Sequence, residues 1–394
     1  MGVHRYLIVG ALPAVVLGGL LASLQWPFSS VEVSKDSPPV PDSDGHRIAE
    51  ARPCTGCSYF FSIGDFGTAL CNEAHERGDT DKSGGIGHQG CSSGRQSMVA
   101  AEMARLAAGL APSFVLSLGD NFYVRGVKDL EDPLFEASFE SIYNIGALAA
   151  IPWHISIGDH DQRGNVSALL LHSQRSSRWQ LPSPYYKFQI RAPGGPRVDF
   201  LVTDSVGLEG SVTESAADFR RFAEDYSEEF AGRAAGDAQW KWLEKELLEA
   251  SASSVDDAGD GAGKSPGLRV VIGHRPIVSA ARRGRTPLEG RTSTRLRAVL
   301  ARARRSGPLL YLSGHDHVMQ HLKGKEDGIE FIGNGVGSFA HHPLEDSHEL
   351  PGEFKWGSDN SYGFMVHEVN ASGMTTYFVD AGNHAVVHAT RIAF

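Results

Sequence analysis

Phe114-Val115-Leu116-Ser117-Leu118-Gly119-Asp120-Asn121-Phe122-Tyr123 is a short apolar run that ends in Gly and turns at once to Asp. The pattern occurs five times in all. Residues 60–63 lead into Gly64-Asp65, residues 153–157 into Gly158-Asp159-His160-Asp161, residues 270–272 into Gly273-His274, and residues 309–313 into Gly314-His315-Asp316-His317. Such runs read as buried strands, and the residue after the Gly stands where the chain leaves the sheet. In open α/β sheets, ligands collect outside the carboxyl ends of the strands. A lone Asp after a strand more often caps a helix than binds an ion. Carboxylates and imidazoles from five strand ends converging on one place describe a metal site.

Between the runs, residues 97–109, 135–149 and 238–248 carry apolar residues at helical spacing, the last of them ahead of a strand at 269–272. Residues 329–332, 362–369 and 375–379 are β-branched or aromatic, with no helix between the last two, which are therefore expected to pair antiparallel. The fold class that follows is α/β, a sandwich of two mixed β-sheets flanked by helices.

The chain has 394 residues, 41% of them hydrophobic, enough for one large domain or two ordinary ones. A formal net charge of −10 argues against nucleic acid as a partner. Residues 7–24 form an apolar run behind His4-Arg5, and no charge follows before Glu32. That length approaches a spanning helix, no small-x-small cleavage site follows it, and Trp26 and Phe28 suit a membrane interface. Residues 1–30 therefore read as a signal anchor or signal peptide, 31–57 as an exposed stem and 58–394 as one catalytic domain. Both N-terminal readings send the rest of the chain into the secretory pathway. The domain is then secreted, or held at the lumenal or external face of a membrane by the N-terminal segment. Asn165-Val166-Ser167 and Asn370-Ala371-Ser372 are glycosylation acceptors. Cys54, Cys57, Cys71 and Cys91 are expected to form two disulfides stapling the insertion at 68–94, with the pairing open and zinc as the rival use.

Asp65, Asp120 and Asp159 are hard oxygen donors, and His274, His315 and His317 are imidazoles. The mixture suits iron, zinc or manganese. Six donors exceed the needs of one tetrahedral ion, whereas two ions bridged by a carboxylate use them all. Paired ions clamp the attacking and leaving oxygens of a phosphoryl displacement. Tyr123 adds a phenol, a poor ligand at its reference pKa of about 10 unless a trivalent ion forces it to ionise.

The motifs Gly-Asp-Phe-Gly at 64–67, Gly-Asp-Asn-Phe-Tyr at 119–123, Gly-Asp-His-Asp at 158–161, Gly-His-Arg-Pro at 273–276 and Gly-His-Asp-His at 314–317 resemble those of the purple acid phosphatases. Within the calcineurin-like metallophosphoesterase superfamily, the small, animal-type, tartrate-resistant form is the nearer match. Residues 164–168, 178–186 and 335–338 are also similar to family segments. The resemblance implies an acid phosphatase that hydrolyses phosphomonoesters by attack of a metal-bound hydroxide. It assigns Asp65, Tyr123 and His317 to a ferric ion, Asp120 to the bridge, and Asp159, His274 and His315 to a divalent ion (iron, zinc or manganese). His160 would protonate the departing alkoxide or orient the phosphate. Asn121 would contact a phosphate oxygen or fix its neighbours, with a plain turn role as the alternative.

Three residues depart from the family pattern. Asp159 stands where the family has Asn, Arg283 where it has a supporting His, and Arg275 follows His274. Asp159 adds a negative charge beside an anionic substrate, and Arg275 or Arg283 is expected to offset it. Nine arginines lie between Arg282 and Arg305. Those from 295 to 305 read as a solvated helix face, while Arg282, Arg283 and Arg285 are better placed to meet phosphate. Two rivals remain. One is a membrane-tethered adaptor of the same fold, like the glideosome-associated relatives; the other is a metallophosphodiesterase or nucleotidase.

Overall fold

The computed structural model describes residues 42–68, 93–210, 226–248, 267–281, 290–339, 341–344 and 352–394. The described chain forms two mixed sheets of seven strands each. In chain order, β1 is Ser58–Ile63, β2 Val115–Ser117, β3 Trp153–His154 and β4 Trp179–Gln180. Next come β5 Tyr186–Arg191, β6 Arg197–Val202, β7 Arg269–Ile272, β8 Leu309–Ser313, β9 Met319–Gly324, β10 Glu330–Asn334 and β11 Gly352–Ser358. The chain closes with β12 Gly363–Asn370, β13 Gly373–Asp380 and β14 Ala385–Ala393.

The first sheet runs β14-β13-β12-β1-β2-β3-β4 and the second β11-β9-β10-β8-β7-β6-β5. Strands β1 to β4 are parallel, as are β6, β7, β8 and β10. β12 pairs antiparallel with both β1 and β13, as expected for the last apolar segments. The two sheets meet through aromatic rings. Phe60 stacks on Phe114 at 4.8 Å, and Phe200 of β6 meets them edge-on at 5.2 and 5.5 Å. On the outer side of the second sheet, the helices Arg233–Leu248 and Gly290–Arg304 bury Trp240, Leu243, Leu296 and Leu300 against Val271, Tyr311 and Phe331. The strand ends carrying the Gly-Asp and Gly-His motifs belong to β1, β2 and β3 of one sheet and β7 and β8 of the other.

Four expectations need correction or limitation. The single helix expected over 135–149 is broken: a wide π turn at Phe135–Glu140, one α turn at Ser141–Tyr143, and a 3-10 turn at Gly146–Ala150. The break falls where Asn144 leaves helical angles and Gly146 takes a positive φ of 51°. The stem expected to be exposed through residue 57 contains a docked helix, Asp42–Ala49. It buries Ile48 completely and sets Arg47 against Glu368 of β12 at 2.5 Å. Cys54 is bonded to Cys57, so this disulfide closes the approach to β1 and does not staple the insertion, whose Cys71 and Cys91 lie outside the described residues. Among the described residues no helix is long and apolar enough to cross a membrane, and the run at 7–24 lies outside them.

One consequence of the packing is testable by pH. His367 of β12 is fully buried, stacked on Phe60 at 4.2 Å and hydrogen-bonded to Ser62 Oγ at 2.8 Å and Thr376 Oγ1 at 2.9 Å. Burial pushes its imidazole down to about 3, and pushes His154 down to about 4. A depressed imidazole binds fewer protons folded than unfolded. Its contribution is therefore present above the unfolded pKa of about 6.5 and is lost as pH falls below it. Each such group costs up to about 1.4 kcal/mol per pH unit in that window. His367→Gln should reduce the stability difference between pH 7 and pH 5, measured by denaturant unfolding, by about 1–2 kcal/mol. Equal pH slopes in the two proteins would show that His367 is not kept neutral by the fold.

Candidate metal centre

Three of the five motif glycines, Gly119, Gly158 and Gly314, are explained by the donor that sits opposite each. A Cβ on Gly119, whose φ is +95°, would lie 2.6 Å from the His274 ring, and one on Gly158 would lie 2.1 Å from Asp120 Oδ1. Donors of neighbouring strand ends therefore occupy the room a side chain would take. Asp65, Asp120 and His315 adopt positive φ angles of 59°, 53° and 68°. Non-glycine residues seldom hold that conformation, and it is concentrated at functional sites where surrounding structure enforces it.

The structure brings all seven expected donors together in two groups that share Asp120. On one side, Tyr123 donates its hydroxyl to Asp65 Oδ1 at 2.8 Å and lies 3.1 Å from Asp120 Oδ2, with His317 Nε2 3.3 Å from the phenol oxygen and 3.2 Å from Asp65 Oδ1. On the other, His274 Nε2 lies 3.2 Å from Asp120 Oδ1 and 3.1 Å from Asp159 Oδ1, and His315 Nδ1 lies 2.9 Å from Asp159 Oδ1. Asp120 thus turns one oxygen toward each group. All seven residues are buried except His315, which is partly so.

This donor set fits a pair of cations. Donor atoms about 3 Å apart are the edges of a coordination shell with bonds of about 2.1 Å. Atoms of Asp120, Asp159, His274 and His315 all lie within 4.8 Å of one another. His274 Nδ1 is 2.9 Å from the Leu118 carbonyl, a contact that places the proton there and leaves Nε2 for an ion. The electrostatics agree. Burial would lower the His274 imidazole, but the Asp120 and Asp159 carboxylates outweigh it and hold it well above its ordinary value. A proton there does the work of a cation. Burial, then the Asp120 and Asp65 charges, raise the Tyr123 phenol far above its ordinary range, so only a strongly polarising ion would ionise it.

His160 is set by the same framework. Its backbone N–H donates to Asp120 Oδ1 at 2.9 Å, its ring packs on Tyr123 at 4.4 Å, and its Nδ1 meets the Val124 carbonyl. That leaves Nε2 on the side of the cluster, 3.9 Å from Asp120 Oδ2. Asn121 is fully buried; its amide takes a hydrogen bond from Ser117 Oγ and gives two, to the Ser156 carbonyl at 2.9 Å and Asp161 Oδ2 at 2.7 Å. Its side chain ties the β2 turn to the β3 turn.

Two roles escaped the sequence. Asp161 accepts from the backbone N–H groups of Gly158, Asn121 and Phe122, at 2.8, 3.0 and 3.2 Å, and so clamps two donor-bearing turns together. It was visible in the Gly-Asp-His-Asp motif, but spacing cannot show which amides a carboxylate will collect. The second role is charge compensation at Asp159. Arg163 Nη2 lies 3.4 Å and Arg275 Nη2 3.8 Å from Asp159 Oδ2. Arg275 was foreseen as one of two candidates and Arg163 was not, though it lies four residues beyond Asp159, one helical turn away. Arg282, Arg283 and Arg285 lie outside the described residues. Arg295 and Arg297 pair instead with Glu244 and Asp327.

Fold and site together define a phosphoesterase. Residues 63–319 match the family of calcineurin-like phosphoesterases, and the chain belongs to it. It is 32% identical over 308 residues to tartrate-resistant acid phosphatase type 5 of Mus musculus, covering 77% of this chain and 86% of the mouse protein. Against purple acid phosphatase 3 of Arabidopsis thaliana it is 31% identical over 296 residues, covering 74% and 72% of the two chains. A solved structure described as GAP50, the anchor in the inner membrane complex of Plasmodium, shares the fold with a TM-score of 0.63, at 20% identity over 86% of this chain and 90% of that one.

Proposed function

We propose that this protein is a binuclear acid phosphatase of the purple type, acting on phosphomonoesters. The observation that carries the reading is the two-sided Asp120, one oxygen facing Asp65, Tyr123 and His317 and the other facing Asp159, His274 and His315. Asp65, Tyr123 and His317 would hold a ferric ion, and Asp159, His274 and His315 a divalent ion of iron, zinc or manganese. Such a pair draws in the phosphate and makes a water nucleophilic near neutral pH. The chain's own part is orientation. Asp161 and Asn121 fix the two turns, and the Val124 carbonyl accepts from His160 Nδ1 and so turns Nε2 toward the cluster, where the ring, once charged as imidazolium beside the Asp120 carboxylate, would give its Nε2 proton to the departing alkoxide. The adaptor reading draws on a likeness of fold alone, whereas the full donor set favours hydrolysis.

The Cys54–Cys57 disulfide suits an oxidising compartment, which supports a secretory location for the folded domain, with the N-terminal apolar segment as membrane anchor or signal peptide. Asn165 is proposed as a glycan acceptor there.

Purified protein should hydrolyse an aryl phosphate far faster than the corresponding diester and contain iron. If Tyr123 is bound to a ferric ion as phenolate, a broad visible band should be present, and Tyr123→Phe should abolish it while leaving the far-UV spectrum intact. A colourless native protein containing only zinc removes the ferric assignment. Absence of turnover in the fully metallated protein removes the hydrolase.

A further inference from the structure

Residues 341–344 lie against the His317 side of the metal centre. Pro343 follows His342, and a residue before proline is pushed toward extended backbone. The segment is pinned on both sides of that pair. His341 Nε2 donates to the Ser361 carbonyl at 2.9 Å, and its ring packs on Tyr362 at 4.1 Å. The Leu344 amide donates to Asp359 Oδ2 at 3.0 Å, and Leu344 forms a β-bridge to Ala281, in the chain that leaves the His274 turn. Between those anchors, buried His342 grips His317 in three ways. Its ring stacks on the His317 ring at 4.2 Å, its backbone N–H donates to the His317 carbonyl at 3.2 Å, and its Nδ1 accepts the His317 backbone N–H at 3.2 Å. Asp316 Oδ1 stands 3.7 Å from that nitrogen, beyond hydrogen-bond reach.

A metal-binding imidazole works only when its ring is turned to the ion, and groups that orient a ligand are typically worth roughly 10–100-fold in affinity or activity. His317 Nε2 faces Asp65 Oδ1 at 3.2 Å and the Tyr123 oxygen at 3.3 Å. Phe339 also packs on the His317 ring, at 4.9 Å, but its side chain has no polar atom with which to fix the backbone beneath that ring. His342 does both. It holds the amide and carbonyl that set where the His317 side chain starts, and the ring face that sets where it points. We propose that His342 is a positioning residue for His317, keeping Nε2 turned to Asp65 and Tyr123 so that this half of the centre retains its ion. The other half has its own orienting contact, from His274 Nδ1 to the Leu118 carbonyl, so the effect of His342 is confined to one side. The proposal rests on the binuclear reading above for the ion itself.

The test mixes full-length, metal-loaded protein with a chelator and follows the release of each ion together with the visible band. In His342→Ala, iron should leave about tenfold faster or more and the band should shift or weaken, while release of the second ion stays within about twofold of wild type. His342→Asn returns an acceptor to the His317 amide and His342→Phe returns a ring to its face, so each should recover part of the loss. Every variant is checked for an unchanged far-UV spectrum. Hydrogen exchange of the His317 amide in metal-free protein, followed by NMR, reads the grip without any ion. It should quicken about tenfold in His342→Ala and slow again in His342→Asn. Unchanged iron release, unchanged His317 exchange, or equal loss of both ions overturns the assignment. A wild type that binds no iron removes the ferric reading instead, and exchange at His317 then decides the positioning role by itself.

Discussion

Asp120→Asn should strip the centre of at least one of its ions and lower aryl phosphate turnover by a factor of about 10³ or more. Losing a group that merely supports a metal ligand typically costs roughly 10–100-fold in affinity or activity. Asp120 faces both donor groups at once, with Oδ2 3.1 Å from the Tyr123 oxygen and Oδ1 3.2 Å from His274 Nε2, so both halves are weakened together. An amide supplies one neutral oxygen in place of two that share a negative charge. The backbone is not the cause of the loss, because Asn tolerates the positive φ of 53° that Asp120 adopts. Elemental analysis after dialysis is the primary measurement, with turnover second. A variant that retains both ions and most of its activity would sink the assignment of Asp120 as the bridge.

The donor strands were legible because the signal is local. A few apolar residues, a Gly and an Asp or His are contiguous, and the two β-sheets bring those ends together without further instruction. β7 was read at its exact bounds for the same reason: Arg269–Ile272 is buried at every position. The strands β5 and β14 were not singled out. Both are half-exposed, and their alternation of polar and apolar residues is short or interrupted. The helix Asp42–Ala49 offers one large apolar residue, Ile48, so its docking depends on the distant Glu368 and not on a periodic face. The same holds inside the site. Asp161 acquires its meaning from the Asn121 and Phe122 amides, 40 and 39 residues away, and no local pattern announces such pairings.

Arg275 shows what that long-range chemistry is worth. Its Nη1 pairs with Glu209, its Nη2 donates to the Tyr226 hydroxyl at 3.1 Å, and the same nitrogen lies 3.8 Å from Asp159 Oδ2. Burial works against the guanidinium, but Glu209 and Asp159 outweigh it and hold it firmly charged. Removing one partner from a buried pair leaves the other charge uncompensated, at a cost of about 3–5 kcal/mol. Arg275→Ala should therefore destabilise the metal-free protein by about that much in denaturant unfolding. In an Asp159→Asn background one of the two stranded carboxylates is gone. The arginine substitution should then cost less, by a coupling of about 0.5–2 kcal/mol. Coupling of zero would mean that Glu209 alone holds Arg275 and that Asp159 is balanced by Arg163. Asp159→Asn by itself leaves both arginines beside the site with one less carboxylate to answer them. The incoming phosphate then meets a more positive field, so the Michaelis constant for an aryl phosphate should fall, while the grip on the ion held with His274 and His315 loosens. Loss of activity in a fully metallated Asp159→Asn protein would show instead that the carboxylate is required, and that the arginines stabilise it without compensating a defect.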